Sequence, residues 1–205
     1  ADGSYTTVKE LQGKVIMLQF TASWCSVCRN EMPHIEKEVW GVYKDLELAV
    51  IGIDRDEPVQ TVRQFAKETQ ISYPLALDPG ANIFGLFANK ESGVTRNIII
   101  NPEGEIVFLT RLFDPEEFEK MIQVIHSELE NLVNQEQNHL EQEKLSLESQ
   151  LTELDKSIQK KGNNKELQNT IQELKNNILE KVLRVKREEE KLHLRKEKLR
   201  EIKSS

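Results

Sequence analysis

Cys25 and Cys28 are the only two cysteines in 205 residues, and two residues separate them. Two cysteines cannot make a multi-bridge scaffold or a four-cysteine zinc site, but they can close one small disulfide ring. Three uses fit: a static disulfide, half of a zinc site completed by His34, or a reversible redox pair. The redox use needs a thiolate, so one cysteine must have a lowered pKa. A helix N-terminus provides that, because its free N–H groups and dipole favour a nearby negative charge.

The surrounding chain supplies such a setting. Lys14-Val-Ile-Met-Leu-Gln-Phe20 is an almost wholly apolar run, expected of a strand buried on both faces. Thr21 to Trp24 follow, and from Ser26 to about Tyr43 the pattern turns helical. Met32, Ile35, Val39 and Val42 recur there at three- and four-residue spacing. Pro33 predicts a kink. Cys25, just before the helix, is then the exposed nucleophile. Cys28, one turn in, resolves the mixed disulfide.

The elements that must hold this junction continue downstream. Leu46–Ile53 reads as a second buried strand, and Pro58 opens a helix to about Thr69. A short extended piece at Tyr73–Leu77 and a short helix from Ala81 to Ala88 come next. Asn97–Ile100 and Glu105–Leu109 form a hairpin around Asn101-Pro-Glu-Gly104, with Pro at the second turn position and Gly at the fourth. Glu116 to His126 is a closing amphipathic helix. This order predicts an α/β sandwich around a mixed central sheet.

The chain therefore resembles the thioredoxin-like thiol–disulfide oxidoreductases, in particular the bacterial exported TlpA/ResA-like group. The resemblance rests on Phe20, Trp24-Cys25-Ser26-Val27-Cys28, Glu31-Met32-Pro33, Asp54, Tyr73-Pro74 and Asn97 through Val107. It covers residues 8–126. It implies a protein disulfide as substrate, a thiol-reducing partner, and no cofactor. It also implies that Glu31 is a buried acid near the cysteines that assists proton transfer; the alternative is a solvated helix carboxylate. Trp24 is expected either to dock substrate or to fill space beside the sheet.

Two features depart from the group. Ser26 and Val27 replace the usual proline-containing pair between the cysteines. Thr95, after Val94, stands where the group has a cis-proline that presents its backbone to substrate, so Val94 and Thr95 are candidate substrate-binding residues. A cis bond before a non-proline costs about 2.5–4 kcal/mol, which favours a trans Val94–Thr95 bond. Arg96 is expected to be either a charge that lowers the Cys25 pKa or a surface residue. Asp54, Asp56 and the four histidines show no metal-ligand spacing. Hydroperoxide reduction would want Pro-x-x-x-Thr-x-x-Cys, whereas Thr21 precedes Cys25 by four residues and the proline is missing.

Composition divides the chain. All twelve aromatic residues lie at or before Phe118, and after Gly104 the only glycine is Gly162. Residues 1–127 are expected to form the thioredoxin-like domain, and 128–205 an antiparallel coiled-coil helical hairpin that turns near 161–164. One apolar stripe runs through Leu140, Leu147, Leu151, Leu154 and Ile158, and a second through Leu167, Ile171, Leu174, Ile178, Val185, Leu192, Leu199 and Ile202. The first arm carries 3 basic and 8 acidic residues, the second 12 and 8, so their charges are complementary. Lys181, Glu188 and Arg195 interrupt the second stripe, which leaves room for a partner or self-association.

A net charge of −7, with neither part basic, argues against nucleic acid. No apolar run is long enough for a membrane span. No signal peptide is present; the chain begins at Ala1, consistent with a trimmed form in the periplasm or another exported compartment. The expected activity is reduction of protein disulfides, with Cys25 as nucleophile and Cys28 resolving. The alternatives are an oligomeric disulfide isomerase and a coiled-coil interaction module with a docking thioredoxin domain.

Overall fold

The computed structural model describes residues 7–160 and 165–204. Two compact units divide the chain, one through Leu129 and the other from Glu130 onward.

The first unit is built on β1 (Val15–Thr21), β2 (Leu48–Arg55), β3 (Leu75–Asp78), β4 (Arg96–Ile100) and β5 (Ile106–Arg111). They form one sheet in the order β3-β2-β1-β4-β5. β1 pairs in parallel with β2, and β2 with β3; β4 runs antiparallel to both β1 and β5. This is the expected mixed sheet on a thioredoxin-like fold. β1 is the central strand, and six of its seven residues are buried, which is why its sequence is mostly apolar.

Helices cover the sheet. α1 (Ser26–His34) starts at the cysteine pair. After Pro33, where a kink is expected, the helix passes into a π-helical segment, Ile35–Trp40, followed by the short α2 (Gly41–Tyr43). Pro33 has no N–H for the α-helical ladder, and the wider turn begins two residues later. α3 (Val59–Thr69) and α4 (Phe84–Phe87) connect the later strands.

The closing helix does not stop at His126. α5 runs without interruption from Pro115 to Lys160, because neither Gly nor Pro follows Pro115 within it. Met121, Ile125 and Leu129 on this helix are fully buried.

In the second unit α5 is paired with α6 (Lys165–Ser204). Cross-helix ion pairs join Glu130 to Lys203, Glu136 to Arg195, Glu143 to Arg184, Lys144 to Glu189 and Asp155 to Lys175. From Glu130 to Asp155 along α5 the partners run back from Lys203 to Lys175 along α6, so the two helices are antiparallel. Leu147, Ile178 and Val185 are buried between them, with Leu140, Leu151, Leu154 and Val182 packed alongside. Arg195, an interruption of the apolar stripe, is satisfied by Glu136 rather than left as a packing defect. Leu174, counted in the stripe, is instead 46% exposed. The turn expected near 161–164 lies outside the described residues, as do the side chains of Ile158 and Leu167.

Candidate active site

Cys25 and Cys28 are joined as a disulfide, with Cα atoms 5.3 Å apart. Cys25 is the N-cap of α1, and its sulfur accepts a hydrogen bond from the Cys28 N–H at 3.1 Å. One of the free donors of the first helical turn thus points at the sulfur that must carry negative charge. Cys25 is less open than expected. It is 8% exposed, while Cys28 is fully buried, so Cys25 is the more accessible of the two. Both belong to an apolar cluster with Phe20, Ala22, Ile53, Phe84, Val94 and Ile98.

The loop before the pair is held on both sides. The Ser23 N–H and Oγ donate to the Glu57 carboxylate at 2.5 and 2.6 Å. Arg29 Nε, on α1, donates to the Ser23 carbonyl at 2.7 Å. Trp24 stands between these fixed points and is 61% exposed beside Cys25, with the Arg55 guanidinium 5.7 Å from its ring centre. At that exposure the ring does not fill space beside the sheet.

Glu31, in contrast, is buried at 1% exposure. Register explains what receives it. Gln19 on β1 lies opposite Gly52 of β2 and Asn97 of β4, and Asn97 lies opposite Thr110 of β5. Gln19, Asn97 and Thr110 form a polar row across the sheet, and Glu31 on α1 sits against it. Asn97 Nδ2 donates to one Glu31 oxygen at 2.6 Å, and Gln19 Nε2 approaches the other at 3.3 Å. Tyr73 donates to Gln19 Oε1 at 2.7 Å, and Asn97 Nδ2 also reaches Thr110 Oγ1 at 2.9 Å. A Cβ on Gly52 would collide with a Leu75 methyl and touch the Tyr73 ring, so glycine leaves room for those two side chains against β2. Burial pushes the Glu31 carboxyl up to about 7, against the opposing effect of its Asn97 and Gln19 bonds.

A second acid is buried at the end of β2. Asp54 is fully buried, and neither carboxyl oxygen has a hydrogen-bond partner among the described residues. Burial, aided by the negative charge of Glu57, pushes it up to about 8.

Val94 and Thr95 are brought to the cysteines, but both residues are almost wholly covered, at 2% and 3% exposure. The Val94–Thr95 bond is trans, as no cis peptide occurs among the described residues. The Thr95 hydroxyl lies 3.2 Å from Cys25 Sγ and 3.3 Å from Cys28 Sγ. Arg96 does not reach the pair by any hydrogen bond. It packs on Phe84, 5.5 Å from the ring centre, and donates to Ser92 Oγ. His34 turns to Glu38, 2.7 Å away, rather than completing a site with the cysteines.

Sequence reasoning missed Gln19, Asn97 and Thr110. The available signal was a single polar residue inside each apolar strand, since a buried amide demands a partner.

A protein-family model described as the AhpC/TSA family matches residues 1–109. The thiol-disulfide oxidoreductase ResA of Halalkalibacterium halodurans is 35% identical over 106 residues, covering 52% of this chain and 58% of that protein. The chain thus spans 60% or less of the length of the curated relatives it matches. Among solved structures, a protein of Bacteroides thetaiotaomicron proposed to be a protein disulfide isomerase is 55% identical, with a TM-score of 0.62 over 63% of this chain and 82% of that one. A proposed thioredoxin from Neisseria meningitidis is 26% identical, with a TM-score of 0.55 over 63% and 83%. These relatives agree with the resemblance carried by Trp24 through Cys28 and by the β4–β5 hairpin. With more than half of its length matched by the family model, and on a thioredoxin-like fold, the chain belongs to the AhpC/TSA family.

Proposed function

We propose that this chain is a thiol–disulfide oxidoreductase that reduces protein disulfides. The carrying observation is Cys25 at the N-cap of α1, receiving the Cys28 N–H, with its partner sulfur one turn inside the helix. In the reduced protein the Cys25 thiolate attacks a substrate disulfide. A Cys25–substrate disulfide forms and the first substrate thiolate leaves. The Cys28 thiolate then attacks Cys25 Sγ, which closes the Cys25–Cys28 disulfide and releases the second substrate thiolate. Two electrons pass from the protein to the substrate, and a thiol-reducing partner must restore the pair.

Glu31 is the proposed proton carrier, because a carboxyl that titrates near neutral pH both takes and gives protons readily. Trp24 is the exposed part of the proposed docking surface, with Val94 and Thr95 beside the cysteines behind it. Residues 1–127 carry this chemistry, and 128–205 serve self-association or partner binding. No described helix is long and apolar enough to cross a membrane. An exported bacterial compartment suits a protein that reduces disulfides in its substrates.

Insulin reduction by dithiothreitol, with and without the full chain, tests the reading. The wild type should accelerate precipitation, and Cys25→Ala should fall to the dithiothreitol background. Equal rates for the two would reject it. The similarity to the Bacteroides protein favours a second reading, disulfide isomerase; recovery of scrambled ribonuclease activity in the same preparation would select it. Light scattering of the full chain reads out self-association, and a monomer mass rejects it.

A further inference from the structure

The position that holds a cis-proline in the resembled group carries a hydroxyl here, placed almost equally from both sulfurs. In the disulfide neither sulfur bears a proton, so the Thr95 O–H must be the donor in these contacts. A disulfide sulfur is a weak acceptor. A thiolate is a strong one, because a hydrogen bond to an ion is shorter and roughly twice as strong as a neutral one. The contact therefore gains strength when the pair is reduced.

We propose that Thr95 Oγ1 is a shared donor that serves the two cysteines in turn. In the reduced protein it donates to the Cys25 thiolate, alongside the Cys28 N–H. Once Cys25 is tied into the mixed disulfide it carries no charge, and the same O–H turns to the Cys28 thiolate as it forms and attacks. The two distances differ by 0.1 Å, so rotation about the Thr95 side-chain bond exchanges the partner without backbone movement. Burial of Thr95 at 3% exposure keeps water from substituting for it. A proline at this position has no hydrogen to donate. The inference rests on the thiol–disulfide reading above.

The test measures the thiolate itself on the reduced full chain, with no substrate. Thiolate absorbance near 240 nm is titrated in wild type, Thr95→Val, Thr95→Ala and Thr95→Ser. The charged groups on the surrounding elements are Arg29 and Glu31 of α1, Asp54 and Arg55 of β2, Glu57 beyond it, and Arg96 of β4. All are unchanged across the series, so the hydroxyl is the variable. Both hydroxyl-free variants should raise the Cys25 pKa by about one unit, a loss of about tenfold in thiolate at a given pH below it. They should also shift the glutathione equilibrium toward the disulfide, because the reduced form has lost a stabilising contact. Thr95→Ser should stay within about twofold of wild type, since it keeps the donor. Wild-type titration of either folded hydroxyl-free variant overturns the proposal. That failure is separable from failure of the activity, which would leave the titration intact but insulin reduction at background.

Discussion

In the first unit a carboxyl group, Glu31, is enclosed by two amides inside the sheet. In the second, carboxylates meet lysines and arginines along the open flanks of two helices. Both arrangements satisfy charge, but only the enclosed one shifts the titration of its acid to about 7. The Glu31–Asn97 contact lies where water cannot replace a lost donor. The Lys203–Glu130 pair, with side chains 67% and 36% exposed, lies where water and salt compete with it. The ion pairs therefore fix register cheaply between the helices, whereas the polar row across the sheet holds an acid whose titration is moved toward neutral pH.

The largest separation between the two regions should come from breaking the row. Asn97→Leu removes a donor from Glu31 and leaves the acid buried. It should cost about 2–3 kcal/mol of stability at pH 8, with a smaller loss at pH 5, where Glu31 is already protonated. Urea melts at the two pH values check this. Equal losses would show that Asn97 acts through packing alone.

Titration sharpens the contrast next. Glu31 and Asp54 both hold protons in the folded state that the unfolded chain releases. Their contribution is fully present below about pH 4 and falls as pH rises, levelling off above about 7 for Glu31 and about 8 for Asp54. Asp54→Asn should therefore stabilise the protein by about 1–2 kcal/mol at pH 8 and by much less at pH 4, because it removes a buried acid without partners. Glu31→Gln should flatten the remaining slope and also erase the inflection near pH 7 in the rate of disulfide reduction. An unchanged rate profile would remove Glu31 from proton transfer.

The smallest effect belongs to the helices. Arg195→Ala loses the pair with Glu136, at a cost of less than about 1 kcal/mol that shrinks further in added salt. A larger, salt-independent loss would mean that the arginine stem packs as part of the interhelical seam.

How much of this was legible in the sequence depends on how far apart the partners lie. The strand–turn–helix at Cys25 and the hairpin at Asn101–Gly104 follow from neighbouring residues, and the structure has both. Helix length did not follow as well: the break in composition near residue 127 suggested an end, but nothing in Ser127 to Glu130 stops a helix, so α5 continues. The polar row was hidden because Gln19, Asn97 and Thr110 come together only through strand register. Glu31 on its own looked like any helix carboxylate, and the resemblance, rather than its spacing, pointed to burial. That one hydroxyl of Thr95 touches both sulfurs could not be read from a position whose usual occupant has none.

The wide turn at Ile35–Trp40 bears on how this helix tolerates change in length. A π-helical turn holds one residue more than an α-helical turn, as though a single residue had been inserted into a regular helix. Deleting one residue there would tighten the turn to α-helical spacing and leave the phase of both flanks nearly intact. Cys28 and Glu31 lie upstream of the segment, so their facing would be preserved. The same deletion between Cys28 and Glu31 would rotate the acid by about 100° away from Asn97. Length variation in this helix should therefore be accepted after Pro33 and refused before it.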